Sequence, residues 1–155
     1  METKNIFISH IHKDDNKIHE LKNLMSRKGY NIRNGSIDDT NPNDASNHHY
    51  IKYDLLKPRI EWASSLAVII TPDTHKSWWV NWEIECAASM GKPVIGIWGP
   101  DAQESDLPEA FKTHGDALVS WNSDSIANAI EGDHNWSSSE GNQLPPVEIK
   151  RIRCQ

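Results

Sequence analysis

The run Ser77-Trp78-Trp79-Val80-Asn81-Trp82-Glu83-Ile84 sets one carboxylate among three indoles. It follows an apolar stretch, Leu66-Ala67-Val68-Ile69-Ile70, and a Thr71-Pro72-Asp73 turn. That order reads as a helix at the carboxyl end of a strand, where α/β proteins build their sites. A helix starting near Ser77 puts Trp79, Trp82, Cys86 and Met90 on one stripe, with Trp79 and Glu83 one turn apart. An apolar wall excludes water, and a carboxylate beside it can stabilise a developing positive charge. Plainer readings compete. An aromatic stripe at helical spacing is usually core. Glu83 could be a solvated helix carboxylate, as Glu85 should be, or a first-turn glutamate serving the helix N-terminus.

The elements that must hold this segment alternate along the chain. Asn5-Ile6-Phe7-Ile8-Ser9 reads as a short buried strand. Asp14 or Asp15 can cap a helix carrying Ile18, Leu21, Leu24 and Met25 at helical spacing and closing at Gly29. Tyr30–Ile32 is a second short strand. Asn34 to Asn47 is rich in Asn, Asp, Ser and Pro, longer than the roughly 2–6 residues of an ordinary α/β connection, and so a candidate site loop. Ile51, Leu55 and Ile60 suggest a helix kinked or ended near Pro58. Strand three is Leu66–Ile70, followed by the tryptophan-rich helix ending at Gly91, and strand four is Pro93–Trp98. Asp101–His114 is a polar segment with at most a short helix around Pro108–Phe111. Strand five is Ala117–Trp121, and Ser125–Ile130 is the closing helix. Strands alternating with helices predict a parallel sheet covered on both faces, with right-handed crossovers. From Gly132 the chain reads as a surface-hugging tail with a further strand at Val147–Ile152.

Composition narrows the function classes. A chain of 155 residues is long enough for one domain with a real core. Its 16 Lys and Arg against 22 Asp and Glu give a net charge of −6, which argues against a nucleic-acid or anionic-membrane surface. The basic cluster Lys150-Arg151-Ile152-Arg153 is too short to alter that balance. No apolar run nears the roughly 20 residues of a membrane span, and the amino terminus lacks the apolar region of a signal peptide. Cys86 and Cys154, far apart, do not form a disulfide framework, so a reducing cytoplasm is expected.

Several chemistries drop out on motif. Neither G-x-G-x-x-G nor G-x-x-x-x-G-K-[ST] is present. The turn Ser9-His10-Ile11-His12-Lys13-Asp14-Asp15-Asn16 has no glycine for a phosphate cradle. A phosphoreceiver would want a lysine ending strand five, where Trp121-Asn122 stands. Among eight histidines, His10-x-His12 and His48-His49 are the tightest pairs, with no C-x-x-C or H-E-x-x-H. No metal site is therefore expected.

The strand Ile6-Phe7-Ile8-Ser9-His10 followed by Asp14-Asp15 resembles the opening box of TIR domains. Ser77-x-Trp79-Val80-x-x-Glu83-Ile84 resembles the TIR segment that carries the catalytic glutamate. Ile51-Lys52, Pro58-Arg59-Ile60 and Gly91-Lys92-Pro93-Val94-Ile95-Gly96 are most similar to the bacterial TIR-like family of the Thoeris antiphage protein ThsB. The resemblance runs from about residue 4 to 132. It implies a flavodoxin-like, TIR-type three-layer α/β sandwich with a central five-stranded parallel sheet over residues 1–132, and a tail at 133–155 packing on it. It implies an enzyme that cleaves the nicotinamide–ribose bond of NAD, with NAD as substrate and no separate cofactor. The product would be a cyclic or conjugated ADP-ribose-derived signal that activates a downstream antiphage effector. Self-association is a further expectation; nucleic-acid and membrane partners are not. Carried over by position, Glu83 matches the catalytic glutamate and Trp79 the tryptophan before it. Phe7, Ser9 and His10 fall at the strand end lining the nicotinamide pocket. Asp38, Asn43 and Ser46 are loop candidates for ribose or phosphate. Their loop, Ile37–Asn47, stands where the commoner TIR pattern has a hydrophobic, proline-rich BB loop. A non-catalytic TIR-like adaptor is the competing class, since sites are grafted on folds.

Overall fold

The computed structural model describes residues 5–11, 15–34, 56–133 and 135–138. Five strands form one sheet: β1 (Asn5–Ser9), β2 (Asn31–Asn34), β3 (Ser65–Ile70), β4 (Val94–Trp98) and β5 (Ala117–Val119). Their spatial order is β2-β1-β3-β4-β5, and every neighbouring pair is parallel. All six residues of β3 and all five of β4 are buried, as expected of strands covered on both faces.

Side-chain alternation divides the core in two. Phe7, Leu66, Val68, Ile70, Val94, Trp98 and Leu118 point to one face. They meet Ile60 of α2 (Lys57–Trp62), Val80, Ile84 and Ala87 of α3 (Trp78–Ser89), and Phe111 of α4 (Glu109–His114). Ile6, Ile8, Ala67, Ile69, Ile95, Ile97, Ala117 and Val119 point to the other. There they meet Ile18, Leu21 and Met25 of α1 (Asp15–Ser26) and Ile126, Ala129 and Ile130 of α5 (Ser123–Ile130). Each such side chain stabilises the fold by roughly 1.5–3 kcal/mol relative to exposure. The direction of travel explains the sides. From β1 the chain moves outward to β2 over α1, whereas from β3 it moves the opposite way over α3. Keeping both crossovers right-handed requires the two helices to lie on opposite faces.

Several boundaries differ from the sequence reading. β2 begins one residue late because Tyr30 turns into the α1-side core, its hydroxyl donating to Glu131 at 2.6 Å. Pro58 lies in the first turn of α2, where its missing N–H costs nothing; Ile51 and Leu55 of the expected helix lie outside the described residues. α5 starts at Ser123, two residues early, because the Asn122 side chain accepts from the backbone N–H groups of Asp124 and Ser125. The segment 101–114 holds a 3-10 turn, Glu104–Asp106, as well as α4. β5 stops at Val119, and its outer side receives residues 135–137: Leu118 N–H donates to Asn135 and Ser137 N–H donates back to Leu118. The strand expected at 147–152 lies outside the described residues. Among the described residues no helix is long and apolar enough to cross a membrane.

Candidate active site

In a 2-1-3-4-5 order the succession of strands reverses between β1 and β3, and the crevice at the carboxyl ends of those two strands is the position where open α/β sheets bind ligands. Ser9 is the last residue of β1, paired with Val68 of β3. Beyond Ile70 the chain makes a tight turn. Thr71 N–H donates to Thr74 Oγ1 at 2.9 Å, and Asp73 adopts the left-handed conformation, with φ 80°. Ser77 then caps α3, its hydroxyl accepting from Val80 N–H at 3.1 Å. Asn81 fastens the first turn. Its Nδ2 donates to the Ser77 carbonyl and its Oδ1 accepts from Ala110 N–H, both at 2.9 Å, which ties α3 to α4.

With its start fixed in this way, α3 turns Val80, Glu83, Ile84 and Ala87 toward the sheet. The expected stripe is present but is not the one that faces the sheet. Trp79, Trp82, Cys86 and Met90 are only partly buried and flank the core, while Glu83 occupies the sheet-facing side itself. Small or branched residues at 80, 84 and 87 let the helix approach β3 closely, and bulky indoles cannot fill those positions. Trp79 packs edge-on against Trp78 and Trp82, with ring centroids 4.7 and 6.4 Å away. Trp78 is 49% exposed.

Glu83 is 1% exposed, so it is neither a solvated helix carboxylate nor a cap at the helix N-terminus. Its Oε1 accepts from the Ser9 hydroxyl at 2.5 Å, and Ser9 is itself 0% exposed. Its Oε2 is buried with no hydrogen-bond partner among the described residues. Burial pushes the carboxyl up to about 8, against the opposing pull of the Ser9 hydrogen bond and the Arg59 charge from α2. Burying an ionisable carboxyl in this way costs folding free energy, and groups so perturbed cluster at functional sites. The half-buried Cys86 thiol, one turn on, is also pushed up, first by burial, with Glu83 contributing.

Of the other expected site residues, Phe7 is buried in the α3-side core and His10 is buried directly after Ser9. The structure thus gathers Ser9 and Glu83 into contact and brings Phe7, His10 and Trp79 to the strand end and helix around them. Asp38, Asn43 and Ser46 lie outside the described residues. Arg59 was missed as a neighbour of Glu83; the sequence held no spacing signal linking α2 to α3. Among the described residues no three His, Cys, Asp or Glu side chains cluster to hold a metal ion. Two surface grooves of about 490 Å³ each run along the outer side of α3, sharing Trp82 and Glu85.

A parallel α/β domain with a buried glutamate at the switch point of its sheet is the class that fold and site define. Residues 7–104 match the family of the Thoeris protein ThsB, TIR-like domain, and the chain belongs to that family. Among solved structures it is similar to the Clostridium botulinum CMP N-glycosidase BcmB, with a TM-score of 0.51 at 15% identity, over 83% of this chain and 99% of that one. A 3-dehydroquinate dehydratase-like protein from Bifidobacterium longum superposes more loosely, with a TM-score of 0.40 at 13% identity over 84% and 94% of the two chains. The first likeness concerns the fold, and the second is too loose to add to it. No curated protein sequence matches the chain.

Proposed function

We propose that this protein cleaves the nicotinamide–ribose bond of NAD, with Glu83 as the catalytic residue, and yields an ADP-ribose-derived signal for a downstream antiphage effector. The observation that carries this reading is the Glu83 carboxyl group, buried at the switch point with one oxygen held by Ser9 and the other without a hydrogen-bond partner among the described residues. Membership of the ThsB TIR-like family supports it, as does a fold shared with an enzyme named for N-glycosidic cleavage.

The chemistry fits one carboxylate. As the C1′–N bond breaks, its electron pair passes to the pyridinium nitrogen, so nicotinamide leaves neutral and needs no acid. Positive charge develops at C1′, and ionised Glu83 stabilises it at short range in a dry site. Glycosidases that expel an alkoxide, in contrast, need a second carboxyl group as acid. Water or a hydroxyl of the nucleotide itself then bonds to C1′ and gives up its proton, whereas an unprotonated ring nitrogen bonds through its lone pair with no proton to lose; exclusion of water favours the cyclic or conjugated product. Without ligand Glu83 holds its proton to about pH 8. The cationic nicotinamide riboside draws that value down and recruits the ionised form. kcat/KM should therefore rise with pH toward a midpoint near that of the free enzyme, while kcat reaches its plateau at lower pH.

The test is nicotinamide release from NAD by the purified protein and its Glu83→Gln variant, before and after cellular activation. The variant should fold and lose turnover by 100-fold or more, the effect of about 2.7–4 kcal/mol typical of one preorganised electrostatic contact. Wild-type turnover by Glu83→Gln would remove the catalytic assignment. A second reading, a non-catalytic interaction module, has the half-exposed Trp78 indole in its favour. Absence of turnover from the wild type, with effector activation intact in Glu83→Gln cells, would establish it instead.

A further inference from the structure

Ser9 and Glu83 are separated by 74 positions in sequence, yet their side chains form a fully buried hydrogen bond of 2.5 Å. A serine at the end of β1 has no packing reason to be polar, since Phe7 on the same face of the strand is core hydrocarbon. Its hydroxyl has one hydrogen to donate, and that hydrogen goes to Glu83 Oε1. The Ser9 hydrogen is thus committed to Glu83 and not offered to a nucleotide.

On the reading that Glu83 is catalytic, we propose that Ser9 is a positioning residue: its hydroxyl locks Oε1 and leaves Oε2 as the oxygen that faces the anomeric carbon. The lock acts in two ways. It fixes the carboxylate rotamer, so no ordering remains for the transition state to impose. It also favours the ionised form, the form the reaction uses. The charged and titratable surroundings share the second effect but not the lock on Oε1. From α2, Arg59 acts on Glu83 through space from an exposed position. On α3, the Cys86 thiol is pushed up by burial. From β1, His10 follows Ser9 at the strand end.

Ser9→Ala removes the donor from a buried site at almost constant volume. Three readouts distinguish positioning from substrate contact. The ascending limb of kcat/KM against pH should move up by about one pH unit, so that kcat/KM at pH 7 falls roughly tenfold while its plateau above the shifted midpoint stays within twofold of wild type. The pH at which stability becomes independent of Glu83, read from urea unfolding without NAD, should move by a similar amount. Ser9→Thr, which restores a hydroxyl, should bring both midpoints back. A raised KM with unmoved midpoints would make Ser9 a substrate ligand and overturn the proposal. So would unmoved midpoints in the unfolding series alone, which needs no activity. If Glu83→Gln retains turnover, the proposed reaction falls with it; if Glu83→Gln is inactive and Ser9→Ala is unchanged, the positioning role alone fails.

Discussion

Replacing Glu83 by Gln should change how folding free energy responds to pH, and should do so without any ligand. In the folded chain the carboxyl is raised from its ordinary 4.5 to about 8, chiefly by burial. Between those values the folded state holds a proton that the unfolded state has released. Stability must then fall as pH rises, by about 1.4 kcal/mol per pH unit. The contribution is fully present below the unfolded value near 4.5 and is lost as pH climbs through the folded value. Over the whole window the loss approaches something of order 5 kcal/mol, a ceiling because relaxation around the ionised group recovers part of it. Gln carries no titrating proton and imitates the protonated acid, its carbonyl free to accept from Ser9. The variant should therefore lose little stability near pH 5 and become more stable than wild type above pH 8. Urea unfolding at half-unit steps from pH 5 to 9 measures the difference directly, and other titrations cancel between the two proteins. Parallel curves across that range would mean that Glu83 ionises normally and is hydrated, and the reasoning about its burial would be wrong.

Other outcomes follow from the same geometry. Glu85, about 200° around the helix from Glu83, is exposed, so Glu85→Gln should keep wild-type nicotinamide release; equal loss in both variants would contradict the observed register. Asn81→Ala deprives Ala110 N–H of its acceptor and should cost about 1–3 kcal/mol in urea unfolding. Unchanged stability would show that α4 is not held to α3 by this contact. At Gly96 a Cβ would lie 2.6 Å from Phe111 Cζ and 2.8 Å from Leu118 Cδ1. Gly96→Ala should thus destabilise by about 1–3 kcal/mol through overpacking, read as a lowered midpoint at unchanged m-value.

Much of the frame was readable before any coordinates. The strand β1 matches its expected bounds, and the tryptophan-rich helix starts next to Ser77, where it was expected. The failure on α3 is instructive. Residues Trp78 to Ser89 are apolar on nearly every side, so helical periodicity fits more than one stripe. Indoles suggest the buried stripe by size, but closeness to the sheet selects Val80, Ile84 and Ala87, and Glu83 goes in with them. Likewise, no local spacing could pair Ser9 with Glu83; that contact exists because a parallel sheet brings the end of β1 beside the helix that follows β3. The loop candidates Asp38, Asn43 and Ser46 rest on sequence alone.

Residues 135–138 have a consequence for any shortened form of this chain. Trp136 bridges to Leu118 and stacks on Phe111 at 5.4 Å, and Ser137 accepts from the Trp98 indole at 2.9 Å. Those few residues shield the last ladder of the sheet, whose open N–H and C=O groups are otherwise a template for a neighbouring chain. A protein ended after Gly132 would keep Glu83 and Ser9 yet expose a bare β5 margin beside an uncovered phenyl ring. Its first symptom should be loss of solubility at high concentration, with chemistry intact in whatever stays dispersed.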